Sequence, residues 1–247
     1  KGPVYLDLTG LSREVFQTKL SDMREELLEY KGIDIMKEPV AVKPGIHFFM
    51  GGILVDEKHR ACVPGLYAAG ECACQYHGAN RLGGNSMLAA VFGGSVAAET
   101  AAAEFSVETK AETLPVNDAD LTDTGYRMFP PKEAETIREI LLLGLGIVRS
   151  EEGMNEALMK LEEYEKTDFA VRYSKAETEA IKNRILLGRA ILTSAYSRKE
   201  SRGAHRRSDY PDTDEAYHKT GVAYYDGSKH HVEYAEIAGE RTYEHTS

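Results

Sequence analysis

The chain has 247 residues, 42% of them hydrophobic and 28% charged, with a formal net charge of -10. That length allows one or two domains with a sizeable core, and the acidic balance argues against nucleic acid or an anionic membrane surface as the main partner. The three cysteines, Cys62, Cys72 and Cys74, form neither a disulfide framework nor a zinc pattern, because the C-x-C pair lacks metal spacing and has no second pair; reduced thiols in a cytosolic setting are expected. Nor does the start carry a signal-peptide pattern. The longest apolar run, Ile140 to Val148, is too short to cross a bilayer, so no direct membrane insertion is expected.

Four segments separate in chain order. Residues 1–44 open with a VYLDL strand and continue into a helix around Glu14 to Tyr30, where Val15, Leu20, Met23, Leu27 and Leu28 share one face. Residues 45–105 hold three glycine-bearing turns and end in an alanine-rich helix. Residues 106–201 turn helical from about Pro115, with an entry at Pro130 and Pro131 and predicted helices over 132–148, 152–166 and 175–199. Leu158, Leu161 and Tyr164 recur at three-residue steps, as do Ile185, Leu186, Arg189 and Leu192 along the next helix, which reads as a three-helix antiparallel bundle with an ordinary apolar core. Residues 202–247 form a small β-containing region, in which VAYYDG and KHHVEYAEI alternate around Asp226-Gly227 and predict a β-hairpin. The fold class is mixed, α+β or α/β. The RGAHRR stretch, with Arg202, His205, Arg206 and Arg207, reads either as a solvated or acid-paired surface patch or as a subunit contact. His230 and His231 read as surface residues.

The chemistry concentrates in residues 77–88, HGANRLGGNSML. His77, Asn80 and Arg81 are polar groups in a glycine-flanked loop, and the planar fork of Arg81 matches a carboxylate or phosphate bidentately. Gly83 and Gly84 let backbone approach a ligand or turn through positive φ. Asn85 and Ser86 are good N-cap residues for the apolar helix that follows. The positive end of that helix would favour a phosphate, a carboxylate or an electron-rich ring edge. Taken alone, these residues fit equally well a capped core helix whose arginine pairs with an internal acid.

Two further turns, GIHFFMGGI at 45–53 and VPGLYAAGECAC at 63–74, change that balance. Together with HGANRLGGNS they resemble, in order and near spacing, the carboxyl-terminal part of the succinate dehydrogenase and fumarate reductase flavoprotein family. The likeness extends over nearly the whole chain, from VYLDL through GIDIMKEPVAVKPG to ESRGAHRRSDYP. It implies that residues 1–44 end a capping domain and 45–105 return to an FAD-binding domain. It also implies that His47 and Arg81 hold a dicarboxylate, succinate or fumarate, and that Glu71, Asn85, Ser86 and Met87 line FAD. The family reaction passes a hydride between flavin and a carbon of the substrate, while the protein orients and stabilises charge. An iron-sulfur subunit and a membrane anchor subunit are the implied partners, with a cytoplasmic location or one peripheral to the inner membrane through those partners.

Departures from the pattern bear on the substrate. Phe49 stands where the family has threonine or serine two residues after the histidine, removing a hydroxyl, and the stretch from Glu71 to His77 is one residue shorter, as loops tolerate. A strand followed by G-x-G-x-x-G is not found, nor is the family's proton-donor arginine, which is expected upstream. The expectation is therefore a carboxyl-terminal fragment with no catalytic residue of its own and, in isolation, little activity. L-Aspartate oxidase is an alternative relative that shares HGANR but differs at Met50 and at Leu82, Gly83 and Gly84. A further alternative is an interaction module whose helical bundle and basic patch dock an iron-sulfur subunit.

Overall fold

In a computed structural model, residues 4–43, 45–105 and 130–236 are described, and they divide into two units, residues 1–49 and 50–247. The expected helical onset near Pro115 and the tail beyond 236 lie outside the described residues. The architecture is mixed α/β, as the sequence reading expects, with two-stranded antiparallel sheets in place of any large one.

In the first unit, strand β1 (Val4–Leu6) pairs antiparallel with β2 (Val40–Val42), with Tyr5 opposite Ala41. Between them the expected helix over Glu14 to Tyr30 is two helices, α1 (Arg13–Thr18) and α2 (Ser21–Lys31). The break has a local cause. Ser12 caps α1, the N–H groups of Lys19 and Leu20 both close onto the Val15 carbonyl, and α2 restarts at Ser21 before ending at Gly32 in left-handed conformation. No residue of α2 is fully buried, so the apolar face read from Met23, Leu27 and Leu28 does not make a core. Phe16 and Ile35 do the burying in this unit. Arg24 grips Asp34 with Nε–Oδ1 and Nη2–Oδ2 bonds of 2.8 and 3.0 Å, which holds the Asp34 carboxyl well below the usual carboxylate range.

The second unit begins with β3 (Gly51–Gly52) and β4 (Ala73–Cys74), followed by α3 (Asn85–Glu104). Helix α3 presents Ala89, Gly93 and Thr100 inward. Its carboxyl end is tied down by Glu104, which accepts from both Arg60 and the Tyr67 hydroxyl. The opposite face is apolar and open, with Met87, Leu88, Val91 and Phe92 each more than 60% exposed. At 20 residues, α3 is long and apolar enough to cross a membrane by length and composition. Its inward packing on His59 and Ala69 makes it a domain helix with one bare side.

The predicted bundle is present as α4 (Pro131–Gly144), α5 (Glu151–Glu165) and α6 (Lys175–Ser197). Proline opens α4, Ser150 caps α5, and Ser174 with Glu177 forms a capping box on α6. Met154, Leu161, Ile181, Ile185 and Leu192 are fully buried between them. Glu133 in the first turn of α4 accepts hydrogen bonds from the hydroxyls of Tyr164 and Tyr173, so one buried carboxylate joins α4, α5 and the turn before α6. Strands β5 (Thr220–Tyr225) and β6 (His230–Ala235) make the expected hairpin, its turn held by the Asp226 carboxylate accepting from Ser228 and Lys229.

The RGAHRR stretch is acid-paired and only partly at the surface. Arg207 is 2% exposed, forks onto Asp209 with bonds of 2.8 and 2.6 Å, and donates to the carbonyls of Tyr196 and Arg198. Arg198 and Arg202 both bond the fully buried Glu200. Charge alternation along the chain lets Arg198, Arg202 and Arg207 each find an acid two residues away, and the paired charges satisfy one another internally. Arg206 alone among the RGAHRR arginines is exposed.

Candidate functional site

Three segments of the second unit converge near the amino end of α3. Gly51 and Gly52 pair antiparallel with Cys74 and Ala73, and the Ile53 N–H donates to the Cys72 carbonyl at 2.7 Å. Gly52 sits at φ +123°, and a Cβ there would stand 2.2 Å from the Cys72 carbonyl oxygen. The MGG turn therefore lies against the AGECAC turn only because this position lacks a side chain. A one-turn 3-10 helix, Gly70–Cys72, carries Glu71. It rests on α3, where a Cβ on Gly70 would be 3.7 Å from that of Ala90.

The next one-turn helix, Gln75–His77, is fixed to the same stretch of α3 by the Tyr76 hydroxyl donating to the Ala89 carbonyl at 3.2 Å. The rings of Tyr76 and His77 meet edge to face at 5.1 Å. Arg81, half-buried, donates from Nη1 to the Leu82 carbonyl at 3.0 Å. The Glu71 turn, the His77 to Arg81 loop and the start of α3 thus form one local assembly. His47 and Phe49, both exposed, belong to the first unit, whereas Arg81, Glu71, Asn85, Ser86 and Met87 belong to the second.

Asn85 and Ser86 are not the N-caps that the sequence reading expects. The cap is Gly84, in left-handed conformation at φ +85°, and no side-chain oxygen accepts from the first turn. Asn85 already lies inside the helical run, its N–H directed to the Leu82 carbonyl at 3.3 Å. The first-turn N–H groups are left uncapped by side chains, and the positive end of the helix dipole is presented beside a glycine with open space where a Cβ would be. Such a donor set suits an anion or an electron-rich ring edge.

Sequence reasoning missed what holds the Arg81 loop from outside. The turn Arg202–His205 reaches across to Ala79, and the Ala204 N–H donates to the Ala79 carbonyl at 3.0 Å. The only signal available was the glycine in RGAHRR, read there as part of a charge patch. Nearby, His205 bridges Arg149 Nη1 at 2.8 Å and the Arg198 carbonyl at 3.2 Å. Burial first, then the neighbouring Arg149 charge, pushes the His205 imidazole down to about 4. Among the described residues no cluster of histidine, cysteine and carboxylates could hold a metal ion.

Residues 1–87 match the family model of the FAD binding domain, and residues 134–246 match that of the fumarate reductase flavoprotein C-terminus. E. coli quinol fumarate reductase superposes on 95% of the chain with a TM-score of 0.72 and 32% identity, over 44% of its own length. The chain belongs to the succinate dehydrogenase and fumarate reductase flavoprotein family. Within this family, the fumarate reductase flavoprotein subunit of Haemophilus influenzae is 33% identical over 95% of this chain and 43% of its own. The L-aspartate oxidase of Pyrococcus horikoshii is 38% identical over 84% of this chain and 39% of its own. The chain therefore spans less than half the length of the relatives it matches.

Proposed function

We propose that this chain is the substrate-holding and flavin-facing carboxyl-terminal part of an FAD-dependent dicarboxylate oxidoreductase subunit that interconverts succinate and fumarate. The observation that carries the reading is the assembly of the Arg81 loop, the Glu71 turn and the uncapped start of α3 in one unit. In it a cationic fork and a positive helix end stand beside one another. FAD, when bound, supplies hydride exchange with a carbon of the dicarboxylate. The work of the chain itself is to bind and orient. Arg81 forks onto one substrate carboxylate, His47 donates to the substrate, and Glu71, Asn85, Ser86 and Met87 line the flavin. The α3 dipole stabilises negative charge there by an amount on the order of 0.3–2 kcal/mol. An iron-sulfur subunit and, through it, a membrane anchor are the partners of this reading, which keeps the subunit peripheral on the cytoplasmic side.

The test is fumarate-dependent oxidation of a reduced dye by the holoenzyme, with Arg81→Ala beside wild type. Loss of a charge-assisted bidentate contact predicts a drop of two or more orders of magnitude in kcat/KM for fumarate, by analogy with the removal of a single oriented donor. A rate that ignores Arg81 sinks the assignment. The second reading, L-aspartate oxidation, has in its favour the 38% identity to the Pyrococcus enzyme, and aspartate-dependent flavin reduction in which succinate cannot replace aspartate would bring it forward.

A further inference from the structure

The Arg202–His205 turn meets the Arg81 loop at the backbone of Ala79, and the turn has anchors of its own outside that loop. Gly203 stands at φ +56°, where a Cβ would lie 2.3 Å from the Ala79 carbonyl oxygen and 2.6 Å from its carbon, and the next N–H, of Ala204, donates to that same oxygen. The turn closes on itself through Arg202 N–H to the His205 carbonyl and His205 N–H to the Arg202 carbonyl. It is held from behind by Arg202 on the fully buried Glu200 and by His205 on Arg149 and the Arg198 carbonyl. The buried Ser201 donates to the Tyr210 carbonyl. All of this sits on the end of α6. A rigid brace of that kind fixes a neighbouring loop in the way that oriented binding requires, since a displacement of about 1 Å at a binding group costs up to a hundredfold.

We propose that Gly203 and Ala204 are positioning residues that set the height of the Arg81 guanidinium, so that the helical bundle, through this turn, determines dicarboxylate affinity. The inference rests on Arg81 as the carboxylate holder. The step from Ala79 to Arg81 is two residues, so a push on the Ala79 carbonyl is carried directly into the arginine.

The experiment titrates the FAD-loaded holoenzyme with succinate, following heat release and the flavin absorption change, and records thermal stability in parallel. Gly203→Ala is compared with Gly227→Ala, which also puts alanine at positive φ, +98°, but with nothing within 4 Å of its Cβ. Both variants carry the strain, and only the first crowds Ala79. The expected result is a succinate Kd raised about tenfold or more in Gly203→Ala and unchanged in Gly227→Ala. If Gly203→Ala does not fold, Ala204→Pro, at a position not of positive φ, replaces the N–H that reaches Ala79 with a ring carbon and should raise Kd in the same direction. Unchanged Kd in the variant that folds, with binding abolished by Arg81→Ala, overturns the brace and leaves the site reading intact. Binding indifferent to Arg81→Ala overturns both.

Discussion

His205 is locked into one tautomer by its neighbours. Arg149 has only donors to offer, so Nδ1 must be bare to accept its bond, and Nε2 carries the proton directed at the Arg198 carbonyl. Protonation would put a hydrogen on Nδ1 facing a guanidinium, with Arg198 and Arg207 adding like charge. The folded-state value of about 4 lies below the ordinary imidazole value of 6.5, so between these two pH values the unfolded chain binds the proton and the folded chain does not. Stability from this site is complete above about 6.5 and falls as pH drops toward 4. Replacing His205 with glutamine should flatten that part of a melting-temperature-against-pH curve while lowering its plateau, and an unchanged slope would show that other groups own it. None of this was legible in RGAHRR, because a histidine among arginines looks like surface charge until the chain shows which carbonyl and which guanidinium enclose it. Arg81 stood out only beside the neighbouring glycine turns, since a fork donor between a histidine and paired glycines suits a capped core helix equally well, whereas the brace on Ala79 joins residues more than a hundred positions apart and leaves no local trace.

At the scale of elements, propensity succeeded where a long apolar stripe met strong capping. The predicted spans of α4, α5 and α6 differ from those found only at their ends, because Pro131, Ser150 and the Ser174–Glu177 box each fix a start. The reading of a single helix over Glu14 to Tyr30 failed because Lys19 and Leu20 fold back onto Val15 and no apolar partner lies opposite to enforce continuity. Similarly, the start of α3 was assigned to Asn85 and Ser86 by residue type, and a left-handed glycine took the role instead. The bundle core gives a direct measure of what packing contributes. Leu192 is fully buried, its Cδ2 2.6 Å from where a Cβ on Gly144 would stand, so the two helices meet there with no spare volume. Leu192→Ala should lower the unfolding free energy by about 2–5 kcal/mol, measured by urea unfolding, with the upper part of that range expected because backbones this close cannot collapse further into the void. A loss under about 1 kcal/mol would mean that the bundle is looser than its geometry.

For the molecule as a whole, the bare side of α3 is the feature that charge and length do not reveal. Its inward face is satisfied by His59, Ala69 and the Tyr67–Arg60–Glu104 cluster, while Met87, Leu88, Val91 and Phe92 form a contiguous apolar stripe in water. Full burial of such side chains contributes about 1.5–3 kcal/mol each, so four from each of two copies supply roughly 12–24 kcal/mol against the roughly 4–15 kcal/mol that association costs in lost freedom. Leu82, 74% exposed beside them, adds to the same patch. A 247-residue chain studied alone should therefore self-associate at micromolar concentration through α3, with its net charge of -10 opposing contact between copies. Because that opposition is electrostatic and the attraction is not, added salt should strengthen association, the reverse of what a charge-paired interface would do. Light scattering across a concentration series, at low and high salt, reads both effects. Val91→Ser with Phe92→Ser should restore a monomer of 27.4 kDa with little change in melting temperature, since neither side chain is buried in the folded unit. A monomer in wild type at every concentration, or association that salt weakens, would place the stripe outside any contact and leave its exposure without a role.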